Sequence, residues 1–529
     1  MSTTPVTRRN ALRSLAVAAT LVGGLTPAWD GAASAAEAET YTLTIRHVDR
    51  AGHAPERYST TVTGISGPGA GELVSPYDAS GTTTVQLPKG RYLLESSLFT
   101  RVQADGTDWI VQPRLDLDRD TTVTVDARTT APVDVRPADG AARFLQGGMF
   151  LEVTHQGTTR MASTVKLTPG PLRVAHLGPE SEAGSVRQWY DTYWTSDTAT
   201  YALGQTFSGT RALTGLAHHY TAQELATLRI RAVAQPGTGG TATVDLAPTP
   251  GQGAGPTIGV VQDMPVPGTA TLLVTPQRGT WDLSFATRGA DGAPGNRYFA
   301  DRLALRAGAT TTQTFDGPVF GPALTDRPGV ERDGDTLTTH LPLLADGDGH
   351  APSAPSFDTA YTALHRDGVL VGARSGADSA AGRAAFTVPA EKASYRLAAT
   401  VTRRTATGAT TRVNAAWTFS SAATDRPAPV PVSVVRFSPE LSPAGTAAAG
   451  SPIRVPVTVQ GAAADGRVRA LRVSASTDGG ASWTALPVDA GAVTVRNPSA
   501  GTGVSLRAEL TDTDGNTLDQ TVFDAYRTE

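Results

Sequence analysis

Short apolar runs with a period of two, separated by turn residues, recur along almost the whole chain. In the first of them Leu43 and Ile45 alternate with Thr42 and Thr44, and Asp49-Arg50-Ala51-Gly52 then supplies a turn. Successive strand side chains point to opposite faces, so this alternation is typical of a half-buried β-strand. The 55 glycines and 36 prolines provide the turn residues that many short strands need. The pattern predicts an all-β protein.

The 529 residues are too many for one hydrophobic core, so we expect several β-sandwiches in series. In the first of them, the pattern strand–Leu-Pro-x-Gly-x-Tyr–strand at Leu87–Tyr92 resembles prealbumin-like modules. A stiff Pro-rich linker is expected at residues 425–431. The expected sandwiches are prealbumin-like (36–137), larger and jelly-roll-like (138–320), of no particular type (321–424) and immunoglobulin-like (432–529).

Two local patterns carry predictions of their own. Leu341-Pro342-Leu343-Leu344 is interpreted as part of a strand. Thr221-Ala222-Gln223-Glu224 has the sequence of a capping box, in which the first and fourth residues satisfy each other's backbone donors. It predicts one short helical turn.

The N-terminal residues have the pattern of an export signal. Arg8 and Arg9 precede a short apolar run at 15–25, and Ala33-Ser34-Ala35 is a small-x-small site, so we expect cleavage after Ala35. The arginine pair favours twin-arginine export, with the general secretory route as the alternative. The run is too short to span a bilayer, and no later segment is apolar enough. The mature protein is expected to be secreted and extracellular.

Composition excludes several function classes. The chain has no cysteine, which rules out disulfides, thiol catalysis and cysteine-based zinc sites. Charged residues make up 18% of the chain and the formal net charge is -4, so nothing indicates the clustered basic surface that nucleic acids require. No cofactor is predicted, and a monomer is expected.

Catalytic motifs are missing from the sequence. It contains no Gly-x-Ser-x-Gly elbow and no His-Glu-x-x-His zinc motif. Paired glycosidase carboxylates cannot be singled out among 49 acidic residues. The sequence therefore predicts that the protein is not an enzyme and has no catalytic residues.

Two short patterns resemble metal ligands. His218 and His219 are adjacent, and neighbours on a strand face opposite ways, which does not favour a shared metal. The run from Asp346 to His350 resembles part of a calcium loop, but its twelfth position is Phe357, where an EF-hand has glutamate. We interpret the run as a turn, with a calcium site of another type as the alternative.

The densest aromatic stretch lies at residues 187–194. Exposed aromatic side chains there would form a platform for sugar rings or a peptide, whereas core packing on one face is the favoured interpretation. The candidate platform residues are Trp189, Tyr190, Tyr193 and Trp194.

One segment near the C-terminus resembles an Asp-box, Ser-x-Asp-x-Gly-x-x-Trp. The aspartate of this motif caps a hairpin turn, the glycine permits a positive φ, and the tryptophan packs on the strand. The role is structural, so we do not take it as a sign of glycosidase activity. The residues are Ser476, Asp478, Gly480 and Trp483.

Six segments spread along the chain carry a resemblance to a known family: Leu43–Gly52, Leu87–Leu94, Val111–Leu117, Thr122–Arg128, Leu341–Gly347 and Leu510–Asn516. Taken together, residues 40–529 resemble the C-terminal extension of large secreted subtilisin-like serine peptidases of actinobacteria. In that family the catalytic domain precedes the extension, whereas here the export signal joins it directly. The resemblance therefore implies a non-catalytic accessory region, and no catalytic residue is carried over.

The leading hypothesis is a secreted accessory protein that binds a protein, a peptide or a polysaccharide. A cell-surface spacer, whose sandwiches only set distance, is the alternative from another class. A hydrolase with an unrecognised site, such as a glycosidase with two carboxylates in a cleft, is the third hypothesis.

Overall fold

The computed structural model describes residues 39–99, 106–234, 239–249, 257–325, 327–353, 355–375, 382–403 and 408–529. In these residues the regular structure consists of β-strands and three 3-10 turns, Ala127–Thr129, Ala222–Glu224 and Pro276–Arg278. The all-β prediction is therefore confirmed. No helix in these ranges has the length and hydrophobicity needed to cross a bilayer. The predicted export signal lies outside the described residues.

The strands are numbered in chain order. Those of the first part are β1 (Thr40–Val48), β2 (Arg57–Ser66), β3 (Leu73–Val74), β4 (Thr82–Pro88), β5 (Gly90–Phe99), β6 (Thr107–Leu117), β7 (Thr121–Asp126) and β8 (Ala131–Pro137). The next are β9 (Arg143–His155), β10 (Thr158–Lys166), β11 (Leu172–His176), β12 (Val186–Thr195), β13 (Thr200–Gly209), β14 (Leu216–Tyr220), β15 (Ala226–Ala232), β16 (Gly240–Pro248), β17 (Val260–Val266), β18 (Gly268–Val274), β19 (Trp281–Gly289), β20 (Pro294–Leu303) and β21 (Thr310–Phe315).

The remaining strands follow Phe315. They are β22 (Val330–Asp333), β23 (Thr336–His340), β24 (Thr359–Arg366), β25 (Val369–Ser375), β26 (Arg383–Thr387), β27 (Ala393–Thr402), β28 (Arg412–Ser421), β29 (Ala428–Pro429), β30 (Ser433–Phe437), β31 (Thr446–Ala447), β32 (Pro452–Gly461), β33 (Val468–Ser476), β34 (Thr484–Leu486), β35 (Ala492–Arg496), β36 (Gly503–Asp512) and β37 (Thr517–Thr528).

The first part of the chain is layered around sheet B, whose strand order is β14-β8-β11-β6-β5-β2-β3. Sheet A, with order β4-β1-β7, covers one face of sheet B, and its residues Leu43 and Ile45 are fully buried there. In β6, Ile110 joins that core, while Trp109 and Val111 enter a second core on the opposite face. A strand buried on both faces loses the apolar–polar alternation, which is why Trp109-Ile110-Val111 forms an uninterrupted apolar run within β6.

Sheet C, with order β10-β9-β12-β13-β18-β15-β21, forms the second layer against sheet B and is also covered on both faces. Tyr190 and Leu203 pack toward sheet B. Tyr193 and Ala202 pack toward sheet D, whose order is β17-β16-β19-β20. Strands from both sides of the predicted boundary at residue 137 pair within sheet B, so the structure differs there from two separate sandwiches.

The C-terminal part has one core that extends from Val319 to Tyr526. Its largest sheet, sheet F, has the order β25-β24-β27-β28-β37-β36-β33-β34, with β31 paired to β37. The pairing of β28 with β37 joins strands from the two predicted sandwiches 321–424 and 432–529. Two smaller sheets, β26-β23-β22-β29 and β30-β32-β35, complete this part.

The predicted linker 425–431 is packed onto this core. Its residues Ala428 and Pro429 form β29, which pairs with Arg332 and Glu331 at the edge of a sheet. An edge strand tolerates proline because one side of it needs no ladder donor. Buried Val430 anchors the same segment, so the structure differs here from a free spacer.

The two local predictions have opposite outcomes. The capping box is confirmed, since the Thr221 backbone N–H donates to Glu224 Oε2 at 2.8 Å. The strand predicted at 341–344 is wrong, because β23 ends at His340 and the following residues form a turn. Pro342 has no N–H to donate to a ladder, and the leucines around it are buried in the C-terminal core.

Candidate functional site

The aromatic stretch is not a ligand platform. Trp189, Tyr190 and Tyr193 on β12 are 1%, 5% and 0% exposed, and Trp194 is half-buried. Trp189 stacks on Phe150 of the neighbouring strand, with ring centroids 5.5 Å apart. Because sheet C is covered on both faces, side chains on either face of β12 enter a core. The platform interpretation is corrected accordingly.

The same strand carries a buried ion pair that the sequence did not reveal. Asp191 accepts from Arg278 Nε at 2.7 Å and from Nη2 at 3.3 Å. Burial raises the pKa of Asp191 to about 6, and the charge of Arg278 opposes this rise. Gly204 lies opposite, where a Cβ would come within 2.6 Å of Asp191 Oδ1. These contacts stabilise the sheet, and they do not form a ligand site.

The Asp-box residues form the turn between β33 and β34. Ser476 Oγ donates to Asp478 Oδ1 at 2.6 Å, and the backbone N–H of Ser482 donates to the same oxygen at 3.0 Å. The side-chain hydrogen bonds from Ser476 and Ser482 lower the pKa of Asp478. Gly480 has φ +92, and half-buried Trp483 meets Phe523 edge-on at 6.4 Å. The hydrogen bonds of this turn are local, and the ring contact fixes it to β37, so its role is structural.

The adjacent histidines lie on β14 and bind different acids. His218 Nε2 is 2.8 Å from Glu224, and His219 Nε2 is 2.8 Å from Asp134. Their side chains are thus engaged separately. Within the described part of the chain, no group of three or more His, Asp or Glu is placed to hold a metal ion.

The Asp346–His350 run is a turn whose oxygens already have donors. Asp346 is fully buried, and its carboxylate accepts from the backbone N–H groups of His350 at 2.9 Å and of Asp316 at 3.1 Å. Its carbonyl accepts from Arg436. Calcium would have to displace these donors, so the run does not fit the calcium alternative. Its contacts instead tie the C-terminal core to the residues after β21.

A cleft of about 440 Å³ between sheets A and B combines charged and apolar side chains. We call it the Arg50 cleft. Ligand sites commonly pair apolar walls with a few fixed polar groups, and this volume lies in their usual range. Its apolar walls are Pro55, Leu98, Phe99, Ala127 and Pro171, and its charged residues are Asp49, Arg50, Glu56, Asp108 and Arg173.

Arg50 is fixed in place by residues beneath the cleft. Its Nη1 donates to Asp108 Oδ1 at 3.2 Å and to Ala127 O and Thr130 Oγ1, both at 3.1 Å. The Arg50 side chain remains 48% exposed, whereas that of Asp108 is 10% exposed. A guanidinium has five donors, so one held through Nη1 can still offer others to a ligand.

Two carboxylates of the cleft, Asp108 and Asp49, are engaged in structural contacts. Asp108 lies 3.7 Å from a second cation, Arg173, and accepts from Thr130 Oγ1 at 2.6 Å. Asp49 Oδ1 accepts from the backbone N–H groups of Ala51 and His53, both at 2.8 Å. Carboxylates held in this way are suited to positioning Arg50 and closing a turn. The arrangement supports binding better than acid–base chemistry.

Sequence reasoning placed Arg50 in a turn and missed its role. Its partner Asp108 is 58 residues away, on β6. The local signal, an arginine within an Asp-Arg-Ala-Gly turn, contains nothing that separates an anchored guanidinium from a solvated one.

No family model matches the chain, and a search of curated proteins finds no significant relative. Among solved structures, the Bacillus anthracis TIE protein is 12% identical with a TM-score of 0.12 over 52% of this chain and 50% of that chain. A mutant of Salmonella alpha-2-macroglobulin is 12% identical with a TM-score of 0.16 over 93% of this chain and 40% of that chain. The major pilin subunit of Bacillus cereus is 10% identical with a TM-score of 0.12 over 52% of this chain and 99% of that chain.

This chain thus spans half or less of the first two proteins. At these identities and scores the likenesses establish neither a family nor a function for the chain.

Proposed function

We propose that the chain is a secreted, non-catalytic accessory protein that binds a peptide or an extended protein segment in the Arg50 cleft. The observation that carries the proposal is the fixed, half-exposed guanidinium of Arg50 in a cleft that also has apolar walls. The export-signal pattern and the resemblance to the extension of secreted subtilisin-like peptidases support the same proposal. Both remain predictions from sequence.

The chemistry of the cleft suits a peptide. Anchored arginine donors recognise backbone carbonyls or a terminal carboxylate, and the fork geometry makes such bonds directional. Half-buried Phe99 and the prolines at 55 and 171 offer apolar contact for a neighbouring side chain. Because Asp108 already fixes Arg50, little side-chain entropy is lost when a ligand binds.

Affinity retention with the mature chain, residues 36–529, tests the proposal. Proteins from the producing organism's culture medium are passed over the immobilised wild type and over Arg50→Ala, Phe99→Ala and the control Arg119→Ala. Arg119 is 83% exposed and lies outside the Arg50 cleft, so its loss should change nothing. We expect the first two variants to lose retention while keeping the wild-type melting temperature.

Equal retention by Arg50→Ala and Phe99→Ala would show that the cleft is not the binding site. Casein hydrolysis that persists through purification would contradict the non-catalytic assignment.

A rigid spacer is the second candidate, favoured by the continuity of sheet F. The β28–β37 pair joins the two predicted C-terminal sandwiches into one sheet, and a single core lies beneath them. Such continuity resists bending between successive segments. If the wild-type chain retains no culture protein, this candidate replaces the binding proposal.

A further inference from the structure

A second cleft, of about 300 Å³, lies where sheet D meets the C-terminal part. We call it the junction cleft. Turns of sheet D near Gly240, Gly289 and Gly295 form one side, and Phe357 with Arg403 forms the other. Neither the candidate ligand residues from the sequence nor the Arg50 cleft contributes to it.

Asp316 presents a buried carboxylate to this cleft. It is 8% exposed, and its Oδ1 accepts from Tyr298 Oη at 2.7 Å and Asn296 Nδ2 at 2.9 Å. Both donors converge on one oxygen, and Oδ2 accepts from no donor among the described residues. The backbone φ of Asp316 is 60°, a left-handed conformation that non-glycine residues seldom adopt and that often marks functional sites.

Arg403 presents a buried guanidinium to the same cleft. It is 9% exposed, and its Nε and Nη2 donate to the carbonyls of Thr410 and Ala409 at 3.2 and 2.6 Å. Its plane lies over the Phe320 ring, 4.5 Å from the centroid. These contacts fix the side chain and leave Nη1 as its unengaged nitrogen among the described residues.

The charged lining of the cleft consists of two acids, Asp316 and Asp358, and two cations, Arg288 and Arg403, so the charges balance. Asp316 and Arg403 form no direct salt bridge with each other in the described structure. Buried charges are costly unless they are paired or hydrogen-bonded, so a ligand that bridges Asp316 and Arg403 would gain from satisfying both. A hydroxyl both donates and accepts, so neighbouring hydroxyls can donate to Asp316 and accept from Arg403. An anion would be repelled by Asp316 and a cation by Arg403, which favours a neutral ligand.

Two further lining residues fit the same chemistry. Asn296 adds an amide oxygen, and half-buried Phe357 offers a ring against which the C–H face of a sugar can pack. The cleft volume is at the small end of ligand pockets, which suits about one or two sugar residues. We propose that the junction cleft binds a neutral sugar unit of an oligosaccharide or polysaccharide, independently of the Arg50 cleft.

Calorimetric titration of the mature chain with the neutral probes cellohexaose, chitohexaose and maltohexaose tests this proposal. We expect one of them to bind, and Asp316→Asn to weaken that binding about tenfold or more because it replaces one carboxyl oxygen by an amide nitrogen that cannot accept a hydrogen bond. Asparagine is nearly isosteric and tolerates a positive φ, so the fold should persist. Arg403→Lys should weaken binding similarly, since lysine lacks the fork. Asp263→Asn, on the exposed edge strand β17, and Arg50→Ala should leave it unchanged.

Three results would overturn the proposal: no binding of any neutral probe to the wild type, unchanged binding by both cleft variants, or binding of the charged polymers polygalacturonate or chitosan that is stronger than binding of the neutral probes.

Burial raises the pKa of Asp316, which gives this carboxyl the character of a general acid. Released reducing ends should therefore be measured too. Release that is lost in Asp316→Asn would replace binding by hydrolysis at this cleft.

Discussion

At the scale of single residues, the buried charges of Asp191 and Arg278 are each held by a partner distant in sequence. Asp191 and Arg278 are 87 residues apart, and their side chains are 0% and 6% exposed. Removing one member of such a pair leaves the other charge buried without compensation, which costs far more than losing an exposed pair.

We predict that Arg278→Met lowers the free energy of unfolding by about 3 to 5 kcal/mol. The matched control, Arg467→Met, breaks the exposed pair with Asp514 and should cost about 1 kcal/mol or less. Urea unfolding of the mature chain, followed by tryptophan fluorescence, measures both variants. Equal losses would contradict a buried, compensating role for Arg278.

Alanine substitutions at Gly480 and Gly466 distinguish the stability lost through a strained backbone from the stability lost through a steric clash. Both have positive φ, but a Cβ on Gly480 would come within 2.7 Å of the Phe523 ring, whereas one on Gly466 meets nothing within 4 Å. We predict a loss of about 1 kcal/mol for Gly466→Ala and of about 2 to 4 kcal/mol for Gly480→Ala, whose clash adds to the strain. Similar values in urea unfolding would show that Phe523 moves aside freely.

At the scale of elements, the turn Asp346–His350 joins β21 to the C-terminal core. His350 stacks on Phe315 at 4.4 Å and bridges Asp346 Oδ2, at 3.3 Å, and Gln313 Oε1, at 2.9 Å. Burial alone would lower the pKa of His350, but the hydrogen bond and charge of Asp346 and the charge of Asp348 raise it above its usual value.

This junction should weaken as the pH rises. A histidine whose pKa is raised on folding stabilises the protein fully below the unfolded pKa, near 6.5, and this contribution disappears as the pH passes the folded value. We predict that the melting temperature advantage of the wild type over His350→Gln is largest at pH 5.5 and shrinks toward pH 8.5. The exposed control His53→Gln should show no such trend. An advantage that grows with pH would contradict a charged His350.

At the scale of the whole molecule, the predicted sandwiches are not independent. β28 lies before the Pro-rich segment and β37 after it, yet Val413 pairs with Val522 and Trp417 with Leu518. We predict that residues 319–529 unfold as one cooperative unit, and that fragments 319–424 and 432–529 are unfolded when expressed separately. Hydrogen exchange of the intact chain, with circular dichroism of the fragments, checks this. Two folded fragments with separate transitions would contradict it.

The sequence predicted what depends on neighbouring residues. Period-two alternation located β1, and the capping box at Thr221 located a helical turn. It could not predict which strands from distant segments pair, and β28 with β37 is such a case. For the same reason core packing was predicted for only one face of β12, since burial on both faces requires knowing that both faces of sheet C are covered.

The two candidate clefts could not be predicted from the sequence either, because each is built from residues of distant segments. Asp316 and Arg403 are 87 residues apart in the numbering, and no local motif surrounds either of them. The Arg50 cleft likewise depends on a partner in another strand. Sites of this kind follow from the packing of sheets against each other, whereas a catalytic motif can be recognised within one short segment.

The central claim is that the mature chain binds peptides and leaves them intact. In the most direct measurement, residues 36–529 are incubated with a peptide mixture prepared from culture proteins. The bound fraction is recovered by gel filtration, and its peptides are identified by mass spectrometry. We predict that specific peptides are enriched, that they are recovered uncleaved, and that Arg50→Ala abolishes their enrichment. Recovery of new cleavage products, or enrichment that does not depend on Arg50, would contradict the claim.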